Sequence, residues 1–195
     1  MKHLLLMASA VLCTAFSFAQ EATSTPDSKI LKNGFAVETF IGTATTDYSS
    51  GDFGVGIKLA NYWYFGDNQV WKPGLKSTWF RGATYFGSDA LTIQGSVLNV
   101  GFANAFEFKK NIGLEANFNI GYNVVYRTDI TRYDDYGYEY NEDFIGGGIL
   151  FNPEIKFRYN VLAVGFDFVF TNVNDFDITR DTPFSSINFT IGAKF

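Results

Sequence analysis

Residues 112–127 read IGLEANFNIGYNVVYR and alternate between two chemistries without a break. One parity carries Ile112, Leu114, Ala116, Phe118, Ile120, Tyr122, Val124 and Tyr126. The other carries Gly113, Glu115, Asn117, Asn119, Gly121, Asn123, Val125 and Arg127. A period of two is the period of a β-strand, whose successive side chains point to opposite faces. The stretch is therefore a strand with one apolar face. Its other face is glycine, asparagine and isolated charge, with Val125 as the one large apolar exception.

The same alternation recurs along the chain and predicts eight strands, at about 34–44, 53–65, 74–85, a fourth ending at Lys109, 112–127, 144–158, 161–171 and 185–195. In the second, Val55, Ile57, Leu59 and Trp63 oppose Gly54, Gly56, Lys58 and Ala60. In the eighth, Ile187, Phe189, Ile191, Ala193 and Phe195 oppose Asn188, Thr190, Gly192 and Lys194. Such lengths suit a tilted strand crossing a bilayer, which needs about 9–11 residues. Tight turns are expected at 109–111 and 158–160, and longer loops at 45–52, 128–143 and 172–184, with a short one near 88–90. Short turns at one end and longer loops at the other are the plan of an all-β, eight-stranded, antiparallel up-and-down transmembrane β-barrel. Two places resist the pattern. Arg81 falls on the face of Leu75 and Trp79, so either a bulge resets the register or Arg81 lies at the headgroup level. Pro153 lies within the sixth strand and predicts a bulge or kink beside Asn152 and Glu154.

Periodicity alone does not say which face meets lipid, because a soluble lipocalin-type barrel has the same period with its faces reversed. The charges decide. Glu38, Lys58, Glu107, Glu115, Arg127, Glu154, Lys156, Asp167 and Lys194 all fall on the polar parity. A basic side chain in lipid at the midplane costs about 2–4 kcal/mol, so lipid would enforce this sorting. Charged residues make up 18% of the chain, below the roughly 25% of a soluble domain. Trp63, Trp71, Tyr126 and Tyr159 fall near strand ends, where interfacial aromatics gather. Unpaired charge in a narrow interior is costly, so the nine charges are expected to form a network that plugs the lumen. Glu115 should reach Lys58, Lys156 or Arg158, and Arg127 an acid near the outer rim. Lys194 lies on a strand between those that carry Glu38 and Asp167.

Residues 1–19, MKHLLLMASAVLCTAFSFA, have the basic start, apolar run and small-x-small end of a secretory signal peptide, with cleavage expected before Gln20. A transmembrane anchor is the weaker reading, because the run is short and no basic stop-transfer cluster follows. Residues 20–33 then read as a short, poorly ordered periplasmic leader and 34–195 as the barrel domain. Cleavage removes Cys13 and His3, the sole cysteine and histidine, and leaves a net charge of −6. That excludes disulfides, cysteine metal sites and Ser–His or Cys–His nucleophile activation. No cofactor motif is present, and an acidic balance argues against nucleic acid. The expected outer loops carry a net charge of −10, and basic Lys72, Lys109, Lys110 and Arg158 lie near the expected inner turns. The stretch RYDDYGYEYNED, with Tyr133, Asp134, Asp135, Tyr136, Tyr138 and Tyr140, is the candidate surface site. It would bind a partner or bridge divalent cations to lipopolysaccharide, although its spacing matches a calcium loop poorly. A plain solvated loop is the commoner reading of such a segment.

On these residues the chain resembles the OmpA-type membrane domain and the single-domain outer membrane protein beta-barrel families of Bacteroidota, whose signal peptides often end Ala-Gln, as at Ala19-Gln20. The final INFTIGAKF, with Phe189, Ile191 and terminal Phe195, is similar to the family's C-terminal assembly signal. The resemblance implies recognition by the barrel-assembly machinery, residence in the outer membrane, and contact with its lipid and lipopolysaccharide. No catalytic or ligand-binding motif comes with it. The expected role is non-enzymatic: structural, surface interaction or envelope maintenance. A small channel or carrier for hydrophobic or small polar solutes is the alternative, and a secreted soluble lipid-binding barrel comes third.

Overall fold

A computed structural model describes residues 30–195, apart from 47–48, 67, 69, 88–90, 134–135, 138 and 176–180. Eight strands follow in chain order: β1 Gly34–Thr46, β2 Ser49–Tyr64, β3 Trp71–Phe86, β4 Leu91–Lys109, β5 Ile112–Tyr133, β6 Glu139–Tyr159, β7 Leu162–Asp175 and β8 Asp181–Lys194. Each pairs antiparallel with its neighbour, and β1 pairs with β8 to close the barrel. Closure satisfies the backbone polar groups that an open sheet would leave at its edges. At the seam, Phe35 and Phe195 exchange two backbone hydrogen bonds of 3.1 and 2.8 Å.

Both ends of the described chain lie at one end of the barrel, the turn end. There the two-residue connections 110–111 and 160–161 carry Asn111 at φ 60° and Asn160 at φ 58°. Asparagine tolerates this left-handed backbone better than most residues, which is why these turns can be so short. At the opposite, loop end the strands run further than the side-chain alternation foretells. Residues 128–143, expected as a long loop, are largely a paired ribbon in which Arg132 faces Tyr140 and Tyr133 faces Glu139. Likewise Asn174 pairs with Asp181, and the β1–β2 ladder continues to Thr46 and Ser49. Polar composition ends the apolar belt without ending the hydrogen-bond ladder.

The faces are inverted relative to a soluble protein. Ile41, Val55, Val100, Phe102, Ile120, Ile149, Phe166 and Ile187 are exposed on the outside, along with many other large apolar residues. Among the described residues, the exposed charged side chains are Lys32, Lys109, Lys110 and Asp143, all at or beyond the ends of the apolar belt.

Register explains both resistant places. Leu59 pairs with Phe80 but Ala60 pairs with Thr78, so Trp79 is an extra residue relative to β2. On the other side of the hairpin Val97 pairs with Tyr122 and Val100 with Ile120, so β4 also holds one extra residue, in the bulge that contains Leu98 at φ 54°. The β3–β4 ladder skips Trp79 and Leu98 but keeps one register on either side, Thr78 with Asn99 and Phe80 with Val97, which sets Trp79 opposite Leu98. Trp79 and Phe80 both face outward, the parity flips, and Arg81 turns fully inward at 0% exposure. The bulge, not the headgroup level, accounts for Arg81. At Pro153 the expected bulge is absent. The β5 ladder passes through Phe118–Pro153 unbroken, and β6–β7 keeps one register on either side of a gap at 152–153. Proline lacks the donor that would face β7. The Asn152 side-chain amide donates to the Phe168 carbonyl at 2.8 Å instead, so the strand need not kink.

The last leader residues are also placed differently from expectation. Ile30 and Leu31 are buried among Ala36, Ala60, Tyr62, Tyr64, Ala103 and Ala105 at the turn end. Residues 20–29 lie outside the described residues.

Candidate functional site: a layered lumen

The inward residues form layers along the bore. The middle layer is a set of ion pairs drawn from five strands. Lys58 of β2 places its Nζ 2.9 Å from Glu38 Oε2, 2.9 Å from Glu154 Oε1 and 3.1 Å from Asp167 Oδ2. Lys156 reaches Glu38 and Glu154, each at 2.6 Å, and Lys76 reaches Glu154 at 2.5 Å. Arg81 lies 3.3 Å from Asp167, hydrogen-bonds to Gln94, and stacks on the Phe40 ring with its centroid at 4.4 Å.

Cross-strand pairing shows why these residues must meet. Glu154 lies directly opposite Asp167, and Lys58 directly opposite Arg81. Like charges facing each other on neighbouring strands are destabilising. Here the acidic pair of β6–β7 and the basic pair of β2–β3 meet across the bore, with Lys58 bonded to both acids. Glu38 has Gly192 as its β8 partner, where an added Cβ would lie 2.5 Å from Glu38 Cγ. Glycine there leaves the carboxylate room to reach both lysines. Asn119 and Asn188 complete the acids, donating to Glu154 at 3.0 Å and to Asp167 at 2.7 Å.

Toward the turn end a second ion pair follows. Arg158 holds Glu115 with two hydrogen bonds, Nε to Oε2 at 2.5 Å and Nη2 to Oε1 at 3.0 Å. The Tyr64 hydroxyl donates to Glu115 at 2.9 Å, and Lys194 lies 4.0 Å away. Asn117 joins the two layers, donating to Glu115 at 2.9 Å and to Glu154 at 3.3 Å. Together the layers hold six bases, Lys58, Lys76, Arg81, Lys156, Arg158 and Lys194, against four acids, Glu38, Glu115, Glu154 and Asp167. Aromatic faces help to accommodate the surplus. Lys76, Lys194 and Arg158 sit 5.2, 5.3 and 5.4 Å from the Tyr62 centroid, and Lys194 is 4.5 Å from that of Tyr64.

Toward the loop end the bore turns apolar. Phe40, Tyr85, Val125, Phe144, Leu150, Val169, Val173 and Phe184 pack there with Ala44 and Ala83. Above this layer Arg127 meets Asp52 and Thr92, each at 3.0 Å.

Of the nine charges the sequence singled out, Glu38, Lys58, Glu154, Lys156 and Asp167 come together in the middle layer. Glu115 and Lys194 adjoin it, and Glu115 takes Arg158 from among its three expected partners. Lys194 meets neither Glu38 nor Asp167; it bonds to the Ile30 carbonyl at 2.6 Å. Arg127 is paired at the rim, on the far side of the apolar layer. Glu107 stays at the turn end, accepting the Asn111 N–H at 2.5 Å. Sequence reasoning passed over Lys76 and Asp52 as lumen charges, left Arg81 open between a bulge and the headgroup level, and missed the whole apolar layer. A period-two count from Gly74 would have turned Lys76 inward with Thr78, but no such count survives the bulge to reach Arg81. Phe189 and Ile191 of the final strand face outward and are exposed, as is Phe195 just beyond it. Tyr136 is exposed at the loop end, and Tyr133 and Tyr140 lie on β5 and β6. Asp134, Asp135 and Tyr138 fall outside the described residues.

The ion-paired carboxylates and amines of the two layers mostly serve one another. Among the described residues, no group of His, Cys, Asp or Glu could hold a metal ion.

No protein-family model and no curated protein matches the sequence. Solved structures do. One is Ail, the attachment invasion locus protein of Yersinia pestis, at a TM-score of 0.49 and 11% identity over 84% of this chain and 97% of that one. Another is Neisserial surface protein A, at 0.48 and 11% over 84% and 97%. A third is the N-terminal β-barrel domain of Pseudomonas aeruginosa OprF, at 0.43 and 8% over 83% and 99%. These neighbours are small outer-membrane β-barrels.

Proposed function

We propose that this chain is an integral outer-membrane β-barrel with a closed lumen, serving a structural or surface-interaction role in the envelope rather than enzymatic turnover or solute transfer. The observation that carries the reading is the inversion of its faces: apolar side chains cover the outside of the wall, and the mid-strand charges are buried inside. In water that arrangement would expose a large apolar surface, whereas in hydrocarbon it is the favourable one. The turn end then faces the periplasm and the loop end the exterior. Lipid and lipopolysaccharide contact the wall, and the assembly machinery reads β8 through Phe189, Ile191 and Phe195. The tyrosine-rich β5–β6 tip around Tyr136 is the surface offered to an outside partner.

The ion-pair layer and the apolar layer above it support a closed bore. Two measurements test this. Fractionation should recover the protein from the outer membrane in a heat-modifiable form; recovery from the soluble periplasm would end the membrane reading. Purified protein in planar bilayers should give no stable conductance, and a reproducible single-channel step would favour a channel.

A further inference from the structure

We propose that the segment at Ile30 and Leu31 is an internal stopper that closes the turn-end mouth of the lumen and can leave it without dismantling the barrel. Three observations carry this. First, both side chains are buried, at 0% and 4% exposure, although neither residue belongs to a strand. Second, the wall they meet is cut to receive them. The inward positions there are Ala36 on β1, Ala60 on β2 and Ala103 and Ala105 on β4, with the Tyr62 and Tyr64 rings at the side. Small inward residues on three strands widen one end of a bore that is elsewhere filled by long charged side chains. Third, the segment is clamped by polar bonds as well as by burial. Lys194 Nζ donates to the Ile30 carbonyl at 2.6 Å, and the Tyr64 backbone N–H donates to Asn33 Oδ1 at 2.6 Å.

The stopper differs in kind from the ion-pair layer. Every charge in that layer is carried by a wall strand, so opening it means rearranging the wall. Ile30 and Leu31 hang from the free side of β1, ahead of Gly34, and their withdrawal breaks no strand ladder. Withdrawal would bare a small vestibule of alanine and tyrosine, floored by Glu115 and Arg158. The two closures act in series, and only the ion-pair layer is needed to keep the bore non-conducting. Failure of the stopper therefore leaves the proposed function standing, and a conducting barrel would not by itself remove the stopper.

Thiol labelling tests the idea, in a mature chain read as free of cysteine. The mature protein carrying Ala105→Cys is folded into phosphatidylcholine vesicles and exposed to a hydrophilic maleimide, with and without the added pair Ile30→Asp and Leu31→Asp. Folding of each variant is checked by heat-modifiability. Labelling should be slow with the stopper intact and faster by on the order of a hundredfold with the aspartates, since each buried aliphatic side chain contributes about tenfold or more to the closed state. Equal rates in the two folded proteins would overturn the proposal. If the aspartate variant does not fold, Ile30→Cys in the otherwise unchanged chain decides. That thiol should be protected in the folded barrel and reactive in urea, and rapid labelling of the folded form would overturn the proposal.

Discussion

Arg158 lies across the carboxylate of Glu115 so that each of two guanidinium nitrogens bonds to a different oxygen, at 2.5 and 3.0 Å, with both side chains buried. A pair of this geometry is worth less for the attraction it supplies than for the cost of breaking it. Removing one partner strands the other charge in a poorly hydrated interior, a loss of about 3–5 kcal/mol. Glu115→Ala should therefore lower stability by about that amount, measured as the urea midpoint of barrels folded in vesicles. Glu115→Gln with Arg158→Met should recover much of the loss. An alanine variant as stable as the parent would refute the pairing.

The lumen network should be strongly non-additive. Lys58 serves Glu38, Glu154 and Asp167 together, so Lys58→Met leaves three acids short of a partner. Adding Asp167→Asn to Lys58→Met should cost less than the two single losses summed, with a coupling of about 0.5–3 kcal/mol. The readout is a double-mutant cycle on the same unfolding assay, and strict additivity would show that the two side chains act independently.

Asn152 stands in for a donor that Pro153 lacks. Asn152→Ala should leave the Phe168 carbonyl short of a partner and cost about 1–3 kcal/mol. Adding Pro153→Ala should restore a backbone N–H toward β7 and make Asn152→Ala nearly neutral. Amide exchange along β6 and β7 would report the restored bond directly.

The outward face can be probed with a single charge. Ile120 is exposed halfway along the barrel-wall part of β5, and Ile120→Lys should destabilise the folded state in vesicles by about 2–4 kcal/mol. Lys109→Ala, at the turn end, should change stability little. If the two substitutions had equal effects, the belt would not be in hydrocarbon.

The strands were legible wherever alternation ran undisturbed, as in 112–127 and 185–195, because the side-chain period leaves a direct trace in composition. The inward placing of Glu38, Lys58, Glu115, Glu154, Lys156 and Asp167 was legible for the same reason, whereas Lys76 and Asp52 were passed over. What escaped was of three kinds. A bulge adds one residue and has no compositional signature, so Trp79 and Phe80 read as neighbours on opposite faces when both point outward. The apolar layer escaped because Phe144, Leu150, Val169 and Val173 look alike whether they face lipid or a packed bore; only closure of the sheet separates them. The loop-end ribbons escaped for a third reason: tyrosine, aspartate and asparagine between 128 and 143 suggest a loop by composition, while strand pairing there rests on backbone groups that every residue carries.

Trp79 and Leu98 have a further consequence. Sliding a strand by a single residue turns it inside out, which makes a lone insertion a ruinous edit for a closed wall. Here the extra residues stand opposite each other in one hairpin, so β3 and β4 stay in step while the mismatch falls on their outer borders with β2 and β5. Below the fault and above it, each strand presents its proper side. Two single-residue insertions in facing arms of one hairpin thus cancel between themselves, and the rest of the cylinder keeps its register.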